Sequence, residues 1–359
     1  MSDMDLPLEL PISPMLAKAV ADVPAADAIA GGWSFEPKWD GFRCIVCRDG
    51  DEVELLSRSK KPLTRYFPEM IEVVREVFPE RCIVDAELVV RAGEPGAQKL
   101  DWESISQRIH PAASRIERLS RETPAELVCF DLLALGDDDL TPLGHADRRA
   151  LLEQTFAAHP ALAASPRVHL TRVTQDEAVA RQWFESFEGA GLDGVIAKAN
   201  LGSYEQGKRA MLKVKHKRTA EAVVLGYRVH KSGSGVGSLL LGMYDESGEL
   251  LSVGGIGAFS DQLRIDLVQQ LEPLVLRDED GEVATAAKAR SRFTSAADAA
   301  FVPLEPAVVV EVAFDQLEGR RFRHAVTLLR FRPDREASSC LLDQVDRPIA
   351  YDLDEVLAD

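Results

Sequence analysis

The residues predict an α+β chain of two domains, the first a mixture of strands and helices and the second a small β-barrel. Three observations carry this. A chain of 359 residues with 46 % hydrophobic content exceeds one ordinary core and suits two domains. Up to about residue 215, strand-like and helix-like segments alternate. Beyond His216 the texture changes to short β-type runs broken by glycine, with HKRTAE at 216–221 as the hinge. The expected domains are therefore 1–217 and 218–359.

In chain order, an apolar strand leads into FEPKWDGFR at 35–43. FRCIVCRDGDEVELLSRS then places two apolar runs around Asp49-Gly50, a favoured hairpin turn because its backbone adopts positive φ readily. RYFPEMIEVVREVF at 65–78 spaces its apolar residues as a helix, and RCIVDAELVV from 81 is rich in β-branched residues, as a strand is. ELVCFDLLAL at 126–135 is another strand. TQDE at 174–177 reads as a capping box opening a helix that runs to the glycines at 189 and 191. DGVIAK and MLKVK follow as short strands. In the second domain VVLGYRV, SLLLGMY, LLSVGGIGAF and VVVEVAF are strand-like, with one helical insert near 261–276. KSGSGVGS at 231–238 lacks the Gly-Lys-Ser/Thr ending of a phosphate loop and precedes a strand, so a flexible hairpin turn is expected.

No run of about 18 apolar residues and no signal peptide is evident, which points to a soluble cytoplasmic protein without a membrane span. Five scattered cysteines do not form a disulfide framework. Cys44 and Cys47 make a CxxC, but no second CxxC or paired histidines accompany it, and a strand turns residues three apart to opposite faces; zinc or redox chemistry is not expected there. The net charge of −17 argues by itself against a nucleic-acid partner. Its distribution argues otherwise. Residues 208–231 hold eight Lys or Arg against Glu221 alone, and 320–335 hold six Arg against Asp334 alone. Such stretches are either solvated faces or a basic lining for phosphates.

Lys38, beside an acid, a glycine and an arginine, is a candidate nucleophile. At an ordinary pKa of about 10.4, roughly one lysine in a thousand is neutral near pH 7.5, a cost of about 4 kcal/mol before it attacks phosphorus. Such a site is expected to lower that pKa, and Lys213, Lys215 and Arg43 supply suitable charge if the fold gathers them. In LKVK, residues 213 and 215 point to one face.

KWDGFR at 38–43 matches the KxDGxR signature of the covalent nucleotidyltransferases: ATP-dependent DNA ligases, RNA ligases and RNA capping enzymes. Six motifs of these families follow in order, SRS at 57–59, DAEL at 85–88, FDLL at 130–133, DGVIAK at 193–198, LKVK at 212–215 and RPDR at 332–335. Together with PMLA at 14–17 they make nearly the whole chain resemble the ATP-dependent DNA ligases, above all the short bacterial catalytic-core type, the ligase C group. The resemblance implies an adenylation (nucleotidyltransferase) domain followed by an OB-fold. It implies ATP and Mg²⁺, with Mn²⁺ as a substitute, and a lysyl-AMP at Lys38 from which AMP passes to the 5′-phosphate of a nick in duplex DNA.

By the same resemblance Glu36 helps recognise adenine and Phe130 stacks on it. Arg43 and Arg58 contact ribose or phosphate, Glu87 binds the ribose hydroxyl or a metal, and Lys198, Lys213 and Lys215 belong to the nucleotide site. Asp193 stands where relatives usually carry Glu and is the second metal candidate. Arg332, Asp334 and Arg335 in the second domain orient pyrophosphate, with Arg335 replacing the commoner Lys. Residue by residue there are plainer readings: Phe130 as core, Arg58 paired with an acid such as Glu54, Asp40 holding its turn. The implied protein is a monomer in the bacterial cytoplasm at the nucleoid, working with DNA-repair proteins, and its basic lining predicts steep salt dependence of nick binding. An RNA ligase or a GTP-dependent RNA capping guanylyltransferase is the alternative enzyme, and a catalytically dead OB-type nucleic-acid binder the alternative outside catalysis. Missing zinc-type cysteine pairs disfavour an NAD-dependent ligase.

Overall fold

The computed structural model describes residues 4–216, 218–284, 301–315, 317–345 and 350–357. They form two compact units: unit 1 runs to Lys215 and includes the C-terminal residues 350–357, and unit 2 runs from His216 through the residues up to 345.

Unit 1 contains strands β1 (Ala17–Val20), β2 (Trp33–Pro37), β3 (Phe42–Asp49) and β4 (Glu52–Ser57), helix α1 (Pro68–Val77) and β5 (Arg81–Val89). Then come α2 (Trp102–Gln107), α3 (Ala113–Glu122), β6 (Glu126–Leu135), α4 (His145–Ala158) and β7 (Val168–Leu170). Helix α5 (Glu177–Ser186), β8 (Val195–Ala199) and β9 (Met211–Val214) complete the run. One sheet has the order β1-β9-β8-β2, the other β7-β6-β5-β3-β4.

The expected hairpin is present, with Asp49 opposite Glu52 and Gly50 at φ +59°. Helix α1 starts on a proline, which suits a first turn whose N–H has no partner, and buries Met70, Val74 and Val77 on one stripe. The two faces of the second sheet separate chemically. On β5, Cys82, Val84, Ala86 and Leu88 face the main core while Asp85 and Glu87 face away from it. Cys44 and Cys47 lie in different core clusters, as the period-2 argument required, and all five cysteines are free and buried. Burial pushes the Cys82 thiol up to about 12, so it is inert near neutrality.

Two local expectations are corrected. Helix α5 is capped by Asp176, whose carboxylate accepts from Ala178 N, while Thr174 Oγ1 accepts from Asp176 N. The nearer acceptor wins because an Asp side chain reaches the N2 amide directly. The C-terminal residues do not stay with unit 2. A short helix, α6 (Leu353–Leu357), buries Leu353 and Val356 in a unit 1 cluster, Leu353 N donates to Gln98 O at 2.8 Å, and Arg91 pairs with Asp354 at 2.7 Å. Two apolar side chains with somewhere to bury override continuity of sequence.

Unit 2 is an antiparallel sheet of strands Leu250–Ile256, Val236–Tyr244, Arg218–Val229, Val309–Phe314 and Thr327–Phe331, in that spatial order, with Val302–Pro303 added beside Arg218–Val229. The helix Asp261–Leu271 packs Leu267 and Leu271 into its core. The sheet does not close into a barrel among the described residues. Residues 230–235 turn the first hairpin, with Gly233 and Gly235 at positive φ, as expected for KSGSGVGS.

Candidate active site

Lys38 follows β2, where the chain leaves one sheet of unit 1 for the other. Its N–H donates to Gly194 O at 2.8 Å and its C=O accepts from Asp193 N at 3.0 Å, which continues the β2/β8 ladder and fixes the residue between two strands. Two glycines make this geometry available. A Cβ on Gly41 would stand 2.0 Å from Leu88 O, and one on Gly194, at φ +128°, 2.0 Å from Val214 O. Neither position admits a side chain without moving backbone.

The Lys38 ammonium meets Asp193 Oδ2 at 2.7 Å, and Lys215 Nζ meets the same oxygen at 2.6 Å. One carboxylate thus binds two lysines. Burial pulls the Lys38 pKa down, but Asp193, with Asp40 and Glu87, outweighs it, and the lysine lies above its ordinary value. The residues of the site by themselves therefore do not produce the depression expected of the nucleophile. The lysine that is held down is Lys213, by partial burial and then by Lys215, Lys38 and Arg58. Asp193, although burial alone would raise it, is kept below the usual carboxylate range by Lys38 and Lys215. The LKVK pair therefore does converge on Lys38. Arg58 is exposed and makes no ion pair with Glu54 or another acid among the described residues.

Arg43 does not act as a loose cation. Its Nε and Nη2 each reach an oxygen of buried Asp85 at 2.5 Å, Tyr204 Oη donates to the same carboxylate at 2.5 Å, and its guanidinium lies 4.6 Å from the centre of the Phe130 ring. Phe130 is 7 % exposed. It stands at a β-bulge, because Asp85 pairs with Asp131 and Ala86 with Cys129, leaving Phe130 the extra residue. Bulges re-aim side chains beside sites in this way.

Glu87 accepts from Gly41 N at 3.1 Å. Burial raises its pKa to about 7 against the pull of Arg43 and Lys38, with Asp40 and Asp85 adding to the rise. No group of three or more His, Cys, Asp or Glu side chains is placed to hold a metal ion among the described residues. Glu87 and Asp193 can therefore supply only a partial set of hard oxygen ligands, which suits a divalent cation that keeps water and substrate phosphate oxygens.

Beneath these groups lies a buried charged layer. Lys198, 3 % exposed, binds Glu36 Oε2 at 2.8 Å, donates to Phe130 O at 2.9 Å and sits 4.8 Å from the Phe130 ring centre, so it joins Glu36 to Phe130. Arg148 holds both oxygens of Asp131, at 2.8 and 3.0 Å. His145, the first residue of α4, is between them, 3.5 Å from Glu36 and 3.7 Å from Asp131. Sequence reasoning passed over His145, Asp85 and Asp131. A charged residue inside an apolar strand was the available signal for the two acids.

Arg332, Asp334 and Arg335 belong to unit 2. There Arg332 binds both oxygens of Asp334, at 2.9 and 2.8 Å, and also Glu221, while Arg335 reaches Glu221 at 3.4 Å. Glu221, the lone acid of the first basic stretch, thus neutralises part of the second.

The family model for the ATP dependent DNA ligase domain matches residues 14–215, and that for the ATP dependent DNA ligase C terminal region matches 232–335. The chain belongs to the ATP-dependent DNA ligase family. It is 52 % identical to DNA ligase C1 of Mycolicibacterium smegmatis and 48 % identical to DNA ligase C of Mycobacterium tuberculosis, with 99 % of each chain covered in both cases. In fold it is similar to a solved Lig E DNA ligase, at a TM-score of 0.54 and 18 % identity over 89 % of this chain and all of that one. The family accounts for the two units as nucleotidyltransferase and OB-type domains, the latter without a closed barrel among the described residues. It implies ATP and a divalent metal. Among the described residues no helix of this ligase is long and apolar enough to cross a membrane.

Proposed function

We propose that the chain seals nicks between a 3′-hydroxyl and a 5′-phosphate in duplex DNA through a lysyl-AMP on Lys38. The observation that carries this is the triad of Lys38, Asp193 and Lys215, with Lys213 and Arg58 beside it. First, neutral Lys38 Nζ attacks the α-phosphorus of ATP; a P–N bond forms, the bond to the β-phosphoryl oxygen breaks, and pyrophosphate leaves. Then a 5′-phosphate oxygen of the nick takes the AMP and the P–N bond breaks. The 3′-hydroxyl finally displaces AMP and closes the strand.

The residues of this chain bind, orient and move protons in that sequence. Lys38 must lose a proton that Asp193 holds in place, so the triphosphate enters a site whose nucleophile is charged at rest. Lys213, Lys215 and Arg58 hold phosphate oxygens and neutralise the charge that develops on them. Lys213, the lysine with the depressed pKa, is suited to this because it makes no ion pair among the described residues. Glu36 and Phe130 take adenine, and Arg332, Asp334 and Arg335 orient pyrophosphate. A divalent cation, Mg²⁺ with Mn²⁺ as substitute, bound by Asp193 and Glu87 would supply Lewis-acid neutralisation of the phosphates. Cellular work as a monomer in repair at the nucleoid completes the reading.

The test is incubation of wild type and Lys38→Ala with α-labelled ATP, GTP or NAD, then a denaturing gel. Label from ATP on wild type alone is expected. Label from GTP would move the chain to the capping branch, and label on Lys38→Ala would remove Lys38 from the chemistry.

A further inference from the structure

We infer that His145 is a positioning residue for Glu36, setting the direction of its unclaimed oxygen and with it the choice of purine. The inference rests on the reading of Glu36 as the adenine-recognising group.

Glu36 is 3 % exposed, and its two oxygens are unequal. Oε2 is held by Lys198 at 2.8 Å, whereas Oε1 is buried with no hydrogen-bond partner among the described residues. A buried carboxylate oxygen without a donor is costly, and proteins keep such atoms where a ligand completes them. An exocyclic amino group donates to it, as adenine does; a carbonyl at the same ring position, as in guanine, meets two lone-pair atoms face to face.

What lies behind Oε1 is the His145 ring. Nε2 is 3.5 Å from it and Nδ1 is 3.7 Å from Asp131 Oδ2, both too far for a well-formed hydrogen bond among the described residues yet close enough for the ring to act on both carboxylates, and the residue is 1 % exposed. Arg148 is engaged with Asp131 and Lys198 with Glu36 and Phe130 O, while Arg149 binds Glu153 through Nε at 2.7 Å and its buried Nη1 has no hydrogen-bond partner among the described residues. A neutral imidazole donates from one nitrogen and an imidazolium from both, so a small ring rotation lets His145 donate to one lone pair of Oε1 and leaves the other for a ligand. Without that donor the Glu36 carboxyl keeps one anchor, Lys198, and turns about its last torsion, which is broad in carboxylates.

The test measures lysyl-AMP and lysyl-GMP formation, with KM and kcat separately, for wild type, His145→Phe, His145→Gln and Glu36→Gln. His145→Phe is expected to raise KM for ATP about tenfold and narrow the ATP:GTP preference by a similar factor, with kcat changed less than threefold. His145→Gln, which keeps one donor, is expected to recover most of the preference. A merely structural role would instead lower activity on both nucleotides together and leave their ratio alone, and that result in folded His145→Phe overturns the inference. If Phe fails to fold, the Gln variant decides: a ratio equal to that of Glu36→Gln sinks the proposal, since the retained donor then counts for nothing. A Glu36→Gln ratio equal to wild type would mean that the adenine reading itself is wrong, whatever His145 does.

Discussion

Replacing Glu87 with Gln is expected to make the protein more stable while crippling its chemistry. The Glu87 carboxyl has a pKa of about 7 in the folded chain against an ordinary 4.5, with burial the largest cause. A raised acid binds its proton more tightly folded than unfolded, so its favourable contribution is present below about pH 4.5 and is lost as pH rises through about 7. Above that, the ionised group works against folding by up to about 3 kcal/mol, at 1.36 kcal/mol per pKa unit. Glutamine imitates the neutral acid in shape and can still accept from Gly41 N. For a domain of this size, where 1 kcal/mol moves Tm by about 2–4 °C, the variant should melt about 6–12 °C higher than wild type at pH 8.5, and show no gain at pH 4. Calorimetry or circular dichroism at the two pH values measures it. An equal gain at both, or a loss at pH 8.5, would refute the reasoning. In the same preparation, lysyl-AMP formation should fall, since a neutral amide is a poor metal ligand and a weaker partner for a ribose hydroxyl.

Two further outcomes follow from the geometry at Lys38. Gly41→Ala puts a Cβ 2.0 Å from Leu88 O, so the β2–β3 connection must shift; about 2 kcal/mol or more of stability and most of the adenylation should be lost, read by denaturant titration and by the labelling gel. Asp193→Asn removes the carboxylate that holds Lys38 as an ammonium, so the rising limb of the pH profile for single-turnover adenylation should move to lower pH, even if the plateau falls; an unmoved limb would show that Lys38 deprotonation is controlled elsewhere.

Much of this site was legible because its chemistry demands residue types at fixed chain positions. The lysine, the glycines and the KxK strand were legible because they stand in motifs the chain shares with its family; spacing by itself put residues 213 and 215 on one face, and the structure adds that Gly41 has no room for a Cβ. What stayed hidden depends on pairs brought together across the fold. Asp193 and Lys38 are 155 positions apart, and nothing local says that their ionic contact outweighs burial and raises the nucleophile. The bulge at Phe130 is a register shift between two strands, invisible to a period-2 pattern on either. The C-terminal helix looked like the end of unit 2 because sequence proximity is all that a texture argument sees; its burial of Leu353 and Val356 in unit 1 is a tertiary fact.

The charges around Lys38 also explain why a protein of net charge −17 can receive a polyanion. Around Lys38, Lys213, Lys215 and Arg58 stand Asp193, kept ionised by Lys38 and Lys215, then Asp40, and Glu87, whose pKa of about 7 falls at neutral pH. Glu87 is therefore the group whose charge can change most cheaply when phosphates arrive. A polyanion nearby raises a carboxyl pKa, so nucleotide binding at pH 7 without added metal should take up a fraction of a proton, up to about half. Titration calorimetry in two buffers of different ionisation enthalpy reads that number directly, and Glu87→Gln should abolish it. Uptake that survives in Glu87→Gln would assign the proton to another group, while release in place of uptake would mean that the lysines, with Lys38 first among them, give up protons as the phosphates bind.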